Sequence, residues 1–234
     1  MFIGHYGVGF ACKRLAPRTS LGLLMAAVSL LDLIWPILLL AGIEVVRIVP
    51  GTTAFSPFDF VSYPYSHSLL FVAMWAALVG GLYLWRTRYR AGAIAIALGV
   101  ISHWVLDLIV HRPDLPLYPG SVRVGLDLWN HVAATVIVEG AIFATGLWLY
   151  VTGTRAKNAT GRWALVGFVA LLVVAYLATS TSPPPPSVTA VAIGGLAAWL
   201  LPFWAWWIDR NRTTIETREA PLRQRRPTDR RLEA

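Results

Sequence analysis

The chain has 234 residues, of which 56% are hydrophobic and only 14% are charged, and its mean hydropathy is +0.60. This composition is too apolar for a soluble domain of this size and is typical of a helical protein with several membrane spans. The net charge of +8 comes mostly from arginines near the carboxyl end, so it does not indicate a nucleic-acid partner. The single cysteine, Cys12, excludes an intramolecular disulfide.

Six apolar stretches are each close to the ~20 residues that a transmembrane helix needs. Residues 2–12 are too few to span, so we predict a short re-entrant or interfacial helix there. Pro36 predicts a kink in the first span, because proline removes a helical hydrogen bond. We therefore expect an all-α membrane bundle, with one domain over 1–208, a metal-site core in 1–150 and scaffold helices in 162–208. The predicted spans are 20–46, 67–85, 92–110, 126–151, 162–180 and 188–208.

Basic residues are distributed unevenly among the predicted loops. Seventeen of the 20 Lys and Arg residues lie before the first span, after the second, after the fourth or after the last. Only Arg47, Arg112 and Arg123 lie in the other loops. The positive-inside rule therefore predicts a protein of the bacterial cytoplasmic membrane with its carboxyl terminus in the cytoplasm. Residues 209–234 are expected to form a basic, disordered cytoplasmic tail.

Ionisable side chains inside the predicted spans concentrate at one depth. His103 and Asp107 are four residues apart, so they share one face of the third span. Counting ~1.5 Å per residue from the basic loops places Asp32, His67, His103 and Asp107 roughly 20–28 Å up, in the outer half of the bilayer. His5 comes out at about 12 Å if its short segment is helical, and higher if that segment is extended. A carboxylate at membrane depth costs roughly 2.5–3.5 kcal/mol, which a metal ion, a proton path or a partner helix would offset. The set comprises His5, Asp32, His67, His103 and Asp107.

Three imidazoles and two carboxylates form a suitable ligand set for one or two divalent ions, zinc first and manganese or iron next. A single intramembrane histidine can instead serve as a hydrogen bond between helices. His111 and His131 fall near the outer surface, where we predict solvated rim residues rather than ligands.

Four short motifs contain the candidate ligands: Phe2-Ile3-Gly4-His5, Leu31-Asp32, Tyr65-Ser66-His67-Ser68-Leu69 and Ser102-His103 followed by Asp107. They resemble those of the YdjM-like integral-membrane metal-dependent hydrolases, a family distantly related to zinc-dependent phospholipase C and P1-type nucleases. The resemblance implies that Asp107 bridges two metals and that His5 serves the second. The soluble relatives also have an H-x-x-x-E pair, whereas here Thr135 precedes Glu139 by four residues, so we expect one or two ions rather than three.

The expected activity is hydrolysis of a phosphoester, in a lipid or lipid-linked molecule of the outer leaflet, by a metal-activated water. Asp107 and Glu139 are the predicted catalytic residues, with Glu139 acting as a general base or a second-metal ligand. Arg112 and Arg123 are candidates for gripping the substrate anion, because guanidinium groups match phosphate geometry.

Two other kinds of protein fit the same residues. A transporter for a metal ion or a proton also places His and Asp inside a membrane, but it needs polar groups that continue to the cytoplasmic face. A non-catalytic membrane scaffold would hold only a structural metal.

Overall fold

A computed structural model describes residues 1–215, and helices form most of that part of the chain. Within these residues, the segments between helices form three short antiparallel strand pairs. Val45–Ile48 (β1) pairs with Phe58–Ser62 (β2), and Leu115–Pro116 (β3) pairs with Arg123–Val124 (β4). The third pair is Thr154–Ala156 (β5) with Arg212–Thr214 (β6). The helices are Ile3–Leu15 (α1), Leu21–Val28 (α2), Leu30–Leu40 (α3), Pro64–His67 (α4), Leu69–Thr87 (α5), Arg90–Val110 (α6), Val132–Gly153 (α7), Ala159–Thr181 (α8), Val188–Ala197 (α9) and Leu200–Arg210 (α10).

Within residues 1–215, five stretches are long and apolar enough to cross a membrane: α5, α6, α7, α8 and the combined α9–α10. The pair α2–α3, bent by 57°, supplies a sixth if it counts as one span. The predicted all-α bundle with about six spans is therefore confirmed. The 13 residues of α1 cover only about 20 Å as a helix, so α1 is too short to cross. It lies inside the bundle instead, packed against α2, α6 and α7.

The break in the first span differs from the expected kink at Pro36. It falls at Ser29, whose φ of −104° and ψ of 4° separate α2 from α3, while Pro36 lies within α3 and faces Gly195 of α9. In an unbroken helix the Val28 carbonyl would accept a bond from Asp32 four residues later. Here it accepts from Nδ1 of His103 at 2.7 Å, so the break supplies an acceptor to α6.

The basic ends of several helices meet at one end of the bundle. Nζ of Lys13, in the last turn of α1, lies 2.7 Å from Oδ1 of Asp209 in α10. The buried Arg212 donates to Thr154 and to the carbonyl of Gly161. The start of the predicted disordered tail is therefore ordered, with residues 209–210 in α10 and residues 212–214 in β6. Residues 216–234 of that tail lie outside the described residues.

Candidate metal centre

Four segments bring histidine and aspartate side chains together at the opposite end of the bundle. His5 comes from α1, Asp32 from the bent α2–α3 pair, His67 from α4, and both His103 and Asp107 from α6. The three histidines and Asp107 are at most 5% exposed, whereas the Asp32 side chain is 44% exposed. The structure thus gathers in one place the five residues that the sequence proposed as metal ligands.

These side chains form two groups of three that share His103. In the groups His5–His103–Asp107 and Asp32–His67–His103, the potential ligand atoms lie within 4.8 Å of one another. Nε2 of His5 is 3.2 Å from Oδ1 of Asp107, and Nε2 of His103 is 3.2 Å from Oδ2. Oδ1 of Asp32 is 3.6 Å from Nε2 of His67 and 3.7 Å from Nε2 of His103. The two oxygens of Asp107 therefore face different histidines.

Hydrogen-bond partners on the far side of the His103 and His111 rings fix the tautomers of these two histidines. His103 donates from Nδ1 to the Val28 carbonyl, so a neutral ring carries its lone pair on Nε2. His111 donates from Nδ1 to Oδ1 of Asp114 at 2.9 Å, and the Tyr63 hydroxyl donates to the same oxygen at 3.2 Å. Burial, reinforced by the Asp114 carboxylate, raises the pKa of Tyr63 well above its ordinary value, which keeps its hydroxyl a donor. Such outer partners orient histidines that bind metals.

His67 is oriented by Glu44, a residue that the sequence analysis did not identify. The buried Glu44 carboxylate accepts the backbone N–H groups of Tyr65 and Ser66, each at 2.8 Å, and the Ser66 hydroxyl at 2.6 Å. Since that hydroxyl donates to Glu44, its oxygen accepts from Nδ1 of His67 at 2.7 Å. The Nε2 lone pair of His67 is thereby turned toward Asp32 and Asp107. The sequence offered one signal, an acidic residue at the end of an apolar span.

The prediction that His111 is a solvated rim residue is wrong. This residue is only 3% exposed, and its Nε2 lies 4.0 Å from Oδ2 of Asp107. It is buried because the ring packs against Phe60 of β2 and against Trp129, which cover the end of α6. His131 is exposed, as a rim residue should be.

Glu139 lies beside the centre but in neither group of three. Its Oε2 accepts the N–H groups of Phe2 and Gly4, at 2.7 and 3.3 Å, at the start of α1. Its Oε1 is buried without a hydrogen-bond partner, and the residue lines the cavity described below. The Met1 amino group, which contacts Asp107, lines the same cavity.

The two arginines proposed to grip a substrate form ion pairs and hydrogen bonds within the loops at this end of the bundle. Arg112 pairs with Asp59 and with Asp114. Arg123 donates to the backbone carbonyls of Phe60 and Val61. Neither is among the residues that line the cavity.

A cavity of about 590 Å³ extends from the His/Asp cluster to the β1–β2 loop and the segment that follows α8. Its inner end is formed by Asp32, His67, Asp107, His111 and Glu139. The loop between β1 and β2 lines the cavity. Helix α8, which was expected to be scaffold only, also lines it near the end of the helix, next to Ser182. The aromatic part of its wall consists of Phe2, Trp35, Phe55, Phe58, Phe60 and Trp129.

The residues present fit a divalent metal. Nε2 of His103 is fully buried without a hydrogen-bond partner, and its lone pair faces the carboxylates of Asp32 and Asp107. Lone pairs and carboxylates crowded together repel one another, and a shared cation removes that repulsion. Imidazole with carboxylate is a ligand set that suits zinc, and manganese or iron after it.

A family model described as YdjM inner membrane protein matches residues 1–184. No curated protein and no solved structure matches the chain significantly.

Proposed function

The chain belongs to the YdjM inner membrane protein family, and from its site we propose that it is a metal-dependent hydrolase acting on a phosphoester of a lipid or lipid-linked molecule. One observation carries the proposal: a buried cluster of histidines and carboxylates, with an unpartnered Nε2 at its centre, forms the inner end of a cavity of about 590 Å³. Pockets of ~300–1,000 Å³ are typical of small-molecule sites.

Asp32, His67, His103 and Asp107, with His5, would hold one or two ions, zinc most readily. When bound, such an ion acidifies a coordinated water and polarises a phosphoryl oxygen. Asp107 is central to this assignment because its two oxygens face His5 and His103 separately.

Glu139 would serve as the general base. Backbone N–H groups of α1 hold its Oε2 in place, which leaves Oε1 at the cavity to take a proton from the attacking water. The loop between β1 and β2 and the aromatic wall would exclude bulk water from the reaction.

Its family and its apolar helices indicate that the protein is an integral protein of the inner membrane. We further propose that the basic end of the bundle lies in the cytoplasm, by the positive-inside rule. The His/Asp cluster would then lie in the outer half of the bilayer, where membrane lipids are at hand as substrates.

The test compares the wild type with Asp107→Asn, which keeps the shape of the side chain but removes its charge. We expect the purified wild type to hold about one or two equivalents of zinc, manganese or iron, and to show phosphoesterase turnover that a chelator abolishes. Asp107→Asn should lower turnover at least ~100-fold. His131→Ala, a change at an exposed histidine, should alter neither metal content nor turnover.

Two results would contradict the hydrolase. Folded protein that takes up no added metal would remove the metal centre altogether. Bound metal without turnover on a broad panel of phosphoesters, esters and amides would favour the scaffold, and ion flux in liposomes would favour the transporter.

A further inference from the structure

Among the described residues, those lining the cavity beyond its inner end are mostly apolar and carry no charged side chain. Of the described residues, none of those lining the cavity is Lys or Arg, and its ionisable groups gather at the inner end. The Met1 amino group, also at that end, is paired with Asp107. Beyond this end the wall consists mainly of aromatic rings, small loop residues and the prolines that follow α8.

The guanidinium groups of Arg112 and Arg123 are not available to an anion inside the cavity. Arg112 is paired with two aspartates, and Arg123 is bound to backbone carbonyls. An anionic group placed away from the metal ligands would therefore lie against aromatic rings and uncharged loop residues. Burying an unpaired charge in such surroundings is costly.

We propose that the cavity selects a lipid-like substrate whose only anionic group is the phosphodiester that is cleaved. Its apolar chain would lie along Trp35, Phe58 and Phe60, with the phosphodiester at the His/Asp cluster. The volume of about 590 Å³ suits one molecule of drug-like size, so one chain segment enters with the phosphodiester. This inference rests on the proposed hydrolase and adds to it the class of substrate.

The test measures lipid binding rather than turnover. Two lipids with the same brominated acyl chains are compared in nanodiscs: phosphatidylmethanol, a monoanionic diester, and phosphatidic acid, a monoester with a second ionisation near pH 6. Bromine on a chain in the cavity should quench Trp35 and Trp129, and the Trp35→Phe and Trp129→Phe variants identify that signal. At pH 8, phosphatidylmethanol should half-saturate the quenching at a concentration at least ~10-fold below phosphatidic acid. The measurement is made on protein with and without zinc.

A basic residue introduced into the wall should remove the preference. Ala54 lines the cavity, and its backbone N–H donates to Asn130, a bond that Ala54→Arg retains. This variant should bring the two lipids within about 3-fold of each other. The control is Val122→Arg, which places the same charge on an outer-loop residue that is 73% exposed and outside the cavity lining.

Three outcomes would overturn the inference: equal binding of the two lipids, quenching that survives both tryptophan replacements, or the same effect from both arginine variants. Metal content tests the proposed hydrolase separately from the proposed substrate class. Protein that holds zinc but does not discriminate would contradict only the substrate class. Protein that discriminates without binding metal would support the selectivity of the cavity and contradict the hydrolase.

Discussion

Single hydrogen bonds determine which histidine nitrogens face the candidate metal centre. Ser66 accepts from Nδ1 of His67 and donates to Glu44. Ser66→Ala should therefore lower zinc affinity about 10- to 100-fold, as loss of an outer partner usually does, because nothing then holds the His67 ring. Competition with a chelator of known affinity measures the change.

Two further variants separate orientation from general damage to the fold. Ser66→Thr retains the hydroxyl and should recover most of the affinity, whereas Glu44→Gln presents an amide N–H₂ to Ser66 and turns its hydroxyl toward His67. The proton of His67 would then move to Nε2, which nitrogen NMR detects as a change of tautomer. Ser187→Ala, at the cap of the distant α9, should leave zinc affinity unchanged. An unaltered tautomer in Glu44→Gln would contradict the proposed orientation.

A substitution at Glu139 tests whether this residue acts as the general base or as a metal ligand. In Glu139→Gln the amide oxygen can still accept from Phe2 and Gly4, so α1 should keep its position. We expect unchanged zinc content and turnover at least ~100-fold lower, because the amide takes up no proton. A proportional loss of zinc and turnover would instead identify Glu139 as a ligand.

The sequence was sufficient to choose the five candidate ligands, but it did not show which residues surround them. His5, Asp32 and the others were recognisable because ionisable groups are rare at membrane depth. Glu44 acts on His67 through Ser66, a contact between a loop and a short helix that no periodic pattern reveals. His111 was misjudged because counting along α6 gives its depth but does not show that Phe60 and Trp129 cover it.

At the scale of helices, glycines set the position of α1. A Cβ atom on Gly146 of α7 would come within 1.8 Å of the carbonyl oxygen of Gly7 in α1. Small residues permit such close approach between helices in membranes. Gly146→Ala should destabilise the protein by about 1–3 kcal/mol and lower zinc content, since α1 carries His5. Thermal unfolding in detergent and elemental analysis measure the two effects.

The matched control lies on the same helix. A Cβ on Gly140 would meet nothing within 4 Å, and alanine favours a helix more than glycine does. Gly140→Ala should therefore leave stability equal or slightly raised. Equal losses in both variants would show that helix propensity, rather than the contact between α1 and α7, explains the result.

The apolar stretches of the sequence predicted the membrane-spanning helices, but they did not predict where the first span breaks. The hydrophobic run 20–46 reads as one helix, and Pro36 is the visible local disruptor. The break at Ser29 instead accompanies a tertiary bond, from His103 to the Val28 carbonyl, between residues 75 positions apart. A long-range contact of this kind has no signature in the local sequence.

At the scale of the whole molecule, and within residues 1–215, the basic ends of α1 and α10 lie opposite the His/Asp cluster. That basic end is tied together by Lys13 with Asp209 and by Arg212 with Thr154. The other end carries the β1–β2 loop and the cavity. The proposed orientation makes the first end cytoplasmic, and it determines which leaflet supplies the substrate.

Cysteine labelling tests that orientation in intact cells. In a Cys12→Ala background, Val122→Cys should react with a membrane-impermeant maleimide, since Val122 is 73% exposed on an outer loop. Arg86→Cys, near the basic end of α5, should react only after permeabilisation, because basic loops remain in the cytoplasm. Labelling of Arg86→Cys alone in intact cells would reverse the orientation, and the cavity would then draw its substrate from the cytoplasmic leaflet.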